Sequence, residues 1–286
     1  MKWVSFKATD GIHSGVVRGD EILDLGPRPL QHWLARPDAA KAMLAKAPRV
    51  PLERDDLCQP IVRPGKILGI GLNYSDHAKE TGREPPAVQT WFVKQATAAN
   101  APFGTVDMPL VSSKLDYEAE LVVVIGKYGR HVPVGRAMEI VAGFCCGNDY
   151  SVRDWQRATP TMNMGKGFDT HAPFGPWIVS PDELGPLDEL GVRSFINGEQ
   201  RQNGRAGDMI FGVAEQIAHL SAAFTLEPGD VLFTGTPAGV GAAFDPPKFV
   251  EIGDRVRVEI DGIGHIEHEI VEDPGDVIVG RTMDMD

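Results

Sequence analysis

Cysteine is scarce in this 286-residue chain, and the three present, Cys58, Cys145 and Cys146, are odd in number with two adjacent. They form no disulfide framework and no zinc spacing, and Cys145 and Cys146 have no basic sequence nearby to activate a thiolate, so structural burial is expected. Long hydrophobic runs are missing too. The longest, Leu121 to Ile125, falls far short of the roughly 20 residues a membrane-spanning helix needs. At the N-terminus, Lys7, Thr9 and Asp10 interrupt the apolar stretch before a signal-peptide core could form. Positive charge is in deficit, with 28 Lys and Arg against 40 Asp and Glu, a net charge of −12. That balance opposes nucleic acid and anionic membrane surfaces. The expectation is a soluble, cytoplasmic protein with neither nucleic acid nor membrane as partner.

Familiar catalytic signatures are absent as well. Gly69-Ile-Gly71 opens like a dinucleotide fingerprint, but Tyr74 stands at the third glycine position. Gly165-Lys166 is no phosphate loop, because Pro160 and Gly167 occupy its defining positions. His265-Ile-Glu267-His268 lacks the spacing of a zinc-protease helix, and there is no Gly-x-Ser-x-Gly elbow. These absences weigh against nicotinamide, nucleotide and serine-hydrolase chemistry.

Glycine and proline, by contrast, are abundant, at 32 and 22 residues, and predict many tight turns between short strands. No repeat or low-complexity tract is visible. Residues 1–62 read as a small N-terminal α+β unit and 63–286 as the main domain. In the first, the strand-like pieces 1–11, 13–20 and 21–26 carry turn signals at Asp10-Gly11 and Gly19-Asp20. A helical stretch over 29–47, interrupted at Pro37, and a proline-bearing linker over 47–65 follow. In the second, strands are expected at KILGIG, TWFVK, AELVVVIG, GFCCGND, PWIVS, VRSFIN, DVLFTG, DRVRVEI and IGHIEHEIV. Asn197-Gly198 and Asp261-Gly262 signal hairpins. The clearest helix begins near Asp208, with Ile210, Ala214, Ile217, Leu220 and Phe224 along one face, and a shorter one spans Gly135 to Val141. The fold class is therefore mainly β with some α, a sandwich or roll with helices at its edge.

Five segments could carry chemistry. In LDYEAELVVVIGK, strand alternation puts Glu118 and Glu120 on one face, together with Val122 and Val124. Such a pair repels unless a cation lies between, and oxygen-only ligation favours Mg²⁺, Mn²⁺ or Ca²⁺; the alternative is a strand end with both acids hydrated. Asp149, closing an apolar strand, suits a third ligand or a helix N-cap, with Arg153 and Gln156 on the next helical turn. In GLNYSDHAKETG, Asn73 or Ser75 can cap a short helix that sets His77 and Glu80 three residues apart on one face. A carboxylate beside an imidazole makes a general base; a charged surface helix is the alternative, and Gly82 with Pro85-Pro86 suits a lid. Lys166, between two glycines, could bind an anionic group or lie exposed. Thr234 and Thr236 flank Gly235 in either an anion cradle or a plain turn.

Taken in order, GIGLNYSDHAKE, DYEAELVVVIGK, GNDYSVRDWQ, MGKGFDT, NGEQRQNGRAGDMIFGVAEQIAHLS and LEPGDVLFTGTPAGVG resemble the fumarylacetoacetate hydrolase family across about residues 65 to 270. The resemblance implies a β-roll core, a small appended N-terminal domain, a homodimer, and a Mg²⁺ or Mn²⁺ ion, Ca²⁺ being possible. It puts Glu118, Glu120 and Asp149 at the metal positions and His77, Glu80, Arg153, Gln156 and Lys166 at catalytic ones. Thr236, Thr170 and Tyr74 fall at substrate-contact positions. Leu72 departs from the arginine of the acylpyruvase branch. The implied reaction is hydrolysis of a carbon–carbon bond in a 2,4-dioxo acid, yielding a 2-keto acid such as pyruvate and a carboxylic acid. Decarboxylation, isomerisation or hydration of a 2-oxo acid through a metal-stabilised enolate is the alternative, and a non-catalytic binding relative is a third.

Overall fold

The computed structural model describes residues 1–279; the last part of the expected 63–286 domain, residues 280–286, lies outside them. The spine of the molecule is a twelve-stranded sheet. At its centre the strand Ala119–Ile125 lies between Val141–Asn148 and Val231–Phe233, antiparallel to both. Beyond Val231–Phe233 come Ile67–Gly71, parallel to it, and Thr90–Lys94 at the edge. The five-residue apolar run is explained by burial on both faces. Leu121, Val123 and Ile125 join a core with Val192, Val258 and Ile260 of a second sheet and with Ile217 and Leu220 of the helix Val213–Ala223. Val122 and Val124 point the other way, into a core with Phe174 and Phe233. A strand covered on both sides has no polar face to alternate with, so it reads as a continuous run.

The N-terminal unit does not stand apart from this scaffold. Lys2–Ala8 pairs with Ala172–Val179 and extends the main sheet, and Trp3, Val16, Leu30 and Trp33 share the core of Val122 and Phe174. The linker expected at 47–65 contains two further strands, Arg49–Pro51 and Leu57–Cys58, which pair back onto that unit. Pro37 does interrupt the helical stretch, as the first residue of the helix Pro37–Leu44 after Leu30–Leu34.

The expected strands are present, with three adjustments elsewhere. The helix expected from Asp208 begins at Val213, because Gly212 donates its N–H to Glu215 and the preceding backbone is engaged by Asn73, whose carbonyl accepts from Ile210. Ile210 therefore never joins the helical face. The segment Val134–Ile140 winds as a 3-10 helix. After the Asn197-Gly198 turn, the polar Glu199–Arg205 forms a strand that hydrophobic patterning could not reveal. All three cysteines are buried and unpaired, and burial pushes the Cys145 thiol up. Among the described residues no helix is long and apolar enough to cross a membrane.

Two buried histidines make stability depend on pH. Burial lowers His171 to about 4 and His268 to about 3, against 6.5 in the unfolded chain. The folded state resists their protonation, so stability is fully present above pH 6.5 and is lost as pH falls toward those values. At pH 4.5 each costs about 2–3 kcal/mol. The thermal midpoint is therefore expected to drop between pH 6.5 and 4.5, and His268→Leu to remove about half of that slope. A midpoint flat across this window would contradict the assignment.

Candidate active site

Three carboxylates converge at one end of the central strands. Glu120 is the second residue of the strand Ala119–Ile125 and Glu118 lies two positions before it, so both point toward the side of Val122. Glu118 is 4% exposed and Glu120 1%, which disposes of the hydrated strand end. Asn148 holds the approach in place, its Oδ1 accepting the Glu118 N–H at 2.9 Å. Asp149 follows the strand Val141–Asn148 and caps nothing; the helix Arg153–Ala158 starts after Val152, and the Asp149 carboxylate faces Lys94 and Lys166. Ligand atoms of Glu118, Glu120 and Asp149 lie within 4.8 Å of one another, all three residues buried.

The electrostatics are uneven. Burial alone would raise Glu118, but Arg153 and Lys166 overcome it and hold the carboxyl well below its usual range. Burial and the neighbouring charges of Asp149 and Glu118 push Glu120 well above its ordinary value, against the opposing charge of Lys166 and the backbone N–H of Gly235. Counting Asp116, four buried carboxylates face three buried cations, Lys94, Arg153 and Lys166. The cluster is short of positive charge where its oxygens converge. A hard divalent cation fits this donor set: oxygen-only, anionic and enclosed.

The same cavity, about 680 Å³, is lined by Glu118, Glu120, His77, Gln156, Lys166 and Thr236 among others. His77 and Glu80 sit on the short helix Ser75–Glu80, and Nδ1 of His77 lies 2.7 Å from Glu80 Oε1. The other Glu80 oxygen accepts the Gly239 N–H at 2.8 Å, pinning the helix to that turn. Neither Asn73 nor Ser75 caps it: Tyr74 is the N-cap residue, and the Asn73 amide bonds Thr234 and Phe211 instead. In a neutral imidazole, Nδ1–H donating to the carboxylate leaves Nε2 with its lone pair.

Lys166 ends the single turn Asn163–Lys166, and its Nζ is bonded to Glu118 Oε2 and Asp149 Oδ2 while lying over the Phe92 ring. Its loop depends on Gly165, where a Cβ would come within 2.2 Å of the Gln156 backbone nitrogen. Gly165→Ala is expected to destabilise the fold by about 1–3 kcal/mol and to lower turnover with it, through displacement of Lys166. Urea midpoints compared with the wild type check this, and an unchanged midpoint with full activity would refute it.

The remaining expected residues divide. Arg153 is engaged on every side: Nε with Asp116 at 2.7 Å, Nη1 with Gln156 at 3.0 Å and Nη2 in an ion pair with Glu118 at 2.8 Å. Gln156 lines the cavity, and its Nε2 makes a long 3.9 Å contact with Met162 sulfur. The Thr236 hydroxyl donates to the Ala119 carbonyl and accepts from Gln202, so it supports the wall. The structure does not bring Tyr74 or Thr170 to the cavity. Tyr74 is wholly buried beneath the helix it precedes. A left-handed φ of 65° at Thr170 turns the chain away, and its hydroxyl accepts the Asp107 N–H. Leu72 does line the cavity.

Lys94 is a site residue that the sequence reading passed over. It is 1% exposed and reaches Asp149 Oδ1 at 2.5 Å and the Tyr150 carbonyl at 3.1 Å. Its signal was strand alternation: in TWFVK, Lys94 falls on the buried face of Phe92.

Residues 66–271 match the family model for the fumarylacetoacetate (FAA) hydrolase C-terminal domain. The chain is 35% identical over 289 residues to the mitochondrial oxaloacetate tautomerase Fahd2a of Rattus norvegicus, covering 95% of this chain and 92% of that one. Among solved structures it is similar to a fumarylacetoacetate hydrolase of Exiguobacterium antarcticum, with a TM-score of 0.85 and 33% identity over 96% of this chain and 100% of that one. It is also similar to the maleylpyruvate hydrolase of Sphingobium sp. SYK-6 in complex with manganese(II) and pyruvate. There the TM-score is 0.78 and the identity 30%, over 95% of this chain and 99% of that one.

Proposed function

The chain belongs to the fumarylacetoacetate hydrolase family, and from that premise we propose that it is a divalent-cation-dependent hydrolase of 2,4-dioxo acids. It would cleave a carbon–carbon bond to give a 2-keto acid, such as pyruvate, and a carboxylic acid. One observation carries this reading: Glu118, Glu120 and His77 line a single cavity, with Asp149 completing the carboxylate cluster behind the two acids and Glu80 bonded to the imidazole. Glu118, Glu120 and Asp149 would hold Mg²⁺ or Mn²⁺, which supplies Lewis-acid polarisation and a template for a substrate carboxylate and its adjacent keto oxygen. His77 takes a proton from water at Nε2, and Glu80 steadies the imidazolium that results. Lys166 and the Gln156 amide face the same space and oppose negative charge that develops on substrate oxygen. Support for a pyruvate-type product comes from the manganese- and pyruvate-bound maleylpyruvate hydrolase, to which the chain is similar along nearly its whole length.

Tautomerisation or decarboxylation of a 2-oxo acid is the second reading, favoured by the rat oxaloacetate tautomerase. It uses the same cation site but requires no attack by water. A panel of 2,4-dioxo acids and oxaloacetate with Mg²⁺, with products followed by mass, separates the two. Release of a 2-keto acid and a carboxylic acid from a 2,4-dioxo acid is the expected result. Turnover of oxaloacetate alone would sink the hydrolase reading. The homodimer implied by family resemblance belongs to this proposal, and sedimentation as a 31.0 kDa species would count against it.

A further inference from the structure

We propose that Lys94 is a positioning residue that sets which divalent ion the site accepts, by locking one oxygen of Asp149. The inference rests on the cation site of the functional reading above and deepens it. Each carboxylate of the triad has one oxygen held by a fixed protein group. Asp149 Oδ1 lies 2.5 Å from Lys94 Nζ, Glu118 Oε1 lies 2.8 Å from Arg153 Nη2, and Glu120 Oε2 accepts the Gly235 N–H at 2.7 Å. These holders are themselves anchored. Lys94 is bonded to the Tyr150 carbonyl, and Arg153 to Asp116, which in turn accepts the N–H groups of Gly241 and Ala242. Gly235 has a φ of +95°, and a Cβ there would come within 2.7 Å of the Asn73 side chain.

The other oxygens are differently placed. Glu118 Oε2 and Asp149 Oδ2 converge on Lys166 Nζ, with Ser151 Oγ at 3.4 Å from the former, and Glu120 Oε1 has no protein donor among the described residues. Lys166 also lines the cavity, so an ion seated among the three carboxylates would take its place on those two oxygens. Each carboxylate thus offers one oxygen and withholds the other. Three single oxygens suit an ion that takes six ligands at short distance, with the remaining positions left to water and substrate. Ca²⁺ takes about six to eight oxygens and gains from carboxylates bound through both. Lys94 therefore denies Asp149 the two-oxygen mode and disfavours Ca²⁺ against Mg²⁺ and Mn²⁺.

The test is calorimetric titration of metal-free protein with Mg²⁺, Mn²⁺ and Ca²⁺, comparing the wild type with Lys94→Met. Removing a positive charge acts on all three ions alike, so the ratio of affinities isolates the oxygen lock. Wild-type protein is expected to bind Mg²⁺ and Mn²⁺ more tightly than Ca²⁺. Lys94→Met is expected to shift the Ca²⁺ to Mg²⁺ affinity ratio toward Ca²⁺ by about tenfold or more, the scale on which groups behind metal ligands act. An unchanged ratio in a folded Lys94→Met protein overturns the inference while leaving the cation site intact. If that variant fails to fold, the wild-type titration decides, and Ca²⁺ binding as tightly as Mg²⁺ overturns it. Absence of binding by any of the three ions to the wild type overturns both this inference and the functional reading beneath it.

Discussion

Glu120→Ala is expected to raise the Mg²⁺ needed for half-maximal turnover by about 100-fold or more, beyond the 10–100-fold typical of groups behind the ligands. Glu120 is the informative member of the triad because its carboxylate has no ion pair among the described residues and accepts the Gly235 N–H. Its loss leaves no buried cation unpaired, so the fold should survive the change, in contrast to Asp149→Ala, which would strip both Lys94 and Lys166 of a partner. Burial and the adjacent Asp149 and Glu118 raise the Glu120 carboxyl, so an ion that draws its oxygens inward relieves a cost already present. Chelation of the wild type should accordingly abolish turnover, and Mg²⁺ or Mn²⁺ should restore it. Activity measured against free Mg²⁺ on verified metal-free protein is the check. Full turnover in that state would falsify the cation-dependent mechanism as a whole.

His77→Ala is expected to lower cleavage of a 2,4-dioxo acid by about 10²–10⁴-fold, the contribution of a positioned general base. Glu80→Gln should do less harm, because the amide oxygen can still accept from His77 Nδ1 while the amide loses the charge that favours the imidazolium. It also places an amide where Glu80 Oε2 now accepts the Gly239 N–H, so some loosening of the helix Ser75–Glu80 is expected with it. The diagnostic comparison uses oxaloacetate. Loss of carbon dioxide needs a held 2-oxo carboxylate and no activated water, so it should survive His77→Ala nearly intact, whereas Lys166→Ala should depress both reactions. Tautomerisation moves a proton and should fall together with cleavage. Unaltered 2,4-dioxo acid cleavage in His77→Ala would return SDHAKE to a helix with no part in the chemistry.

The residues of the candidate site were legible in the sequence wherever local geometry fixes direction. Alternation in a strand sufficed to put Glu118 with Glu120, and three-residue spacing on a helix sufficed to pair His77 with Glu80. Turn signals and short apolar runs marked most strands, because backbone preference at glycine and asparagine acts within a few residues. Polar strands such as Glu199–Arg205 were not marked that way, since their place is set by pairing with Gly191–Ile196 and not by any hydrophobic face.

Only the tertiary structure decided what each charged group is for. Whether Glu118 and Glu120 were hydrated or buried depended on strands brought together across more than a hundred residues, from Gly147 opposite Glu120 to Gly235 beside it. The sequence places Arg153 only on the helical turn after Asp149, whereas its guanidinium is engaged by Asp116, Gln156 and Glu118. Thr170 lies four residues beyond Lys166, yet one left-handed backbone angle turns it out of the cavity. Lys94 lies 55 residues from Asp149 and acquires its role only because the edge strand Thr90–Lys94 carries it to the converging carboxylates. Chain propensities act over a few residues, whereas ion pairing and desolvation depend on which groups folding brings within a few ångströms, and that is why the acids could be named from the sequence and their partners could not.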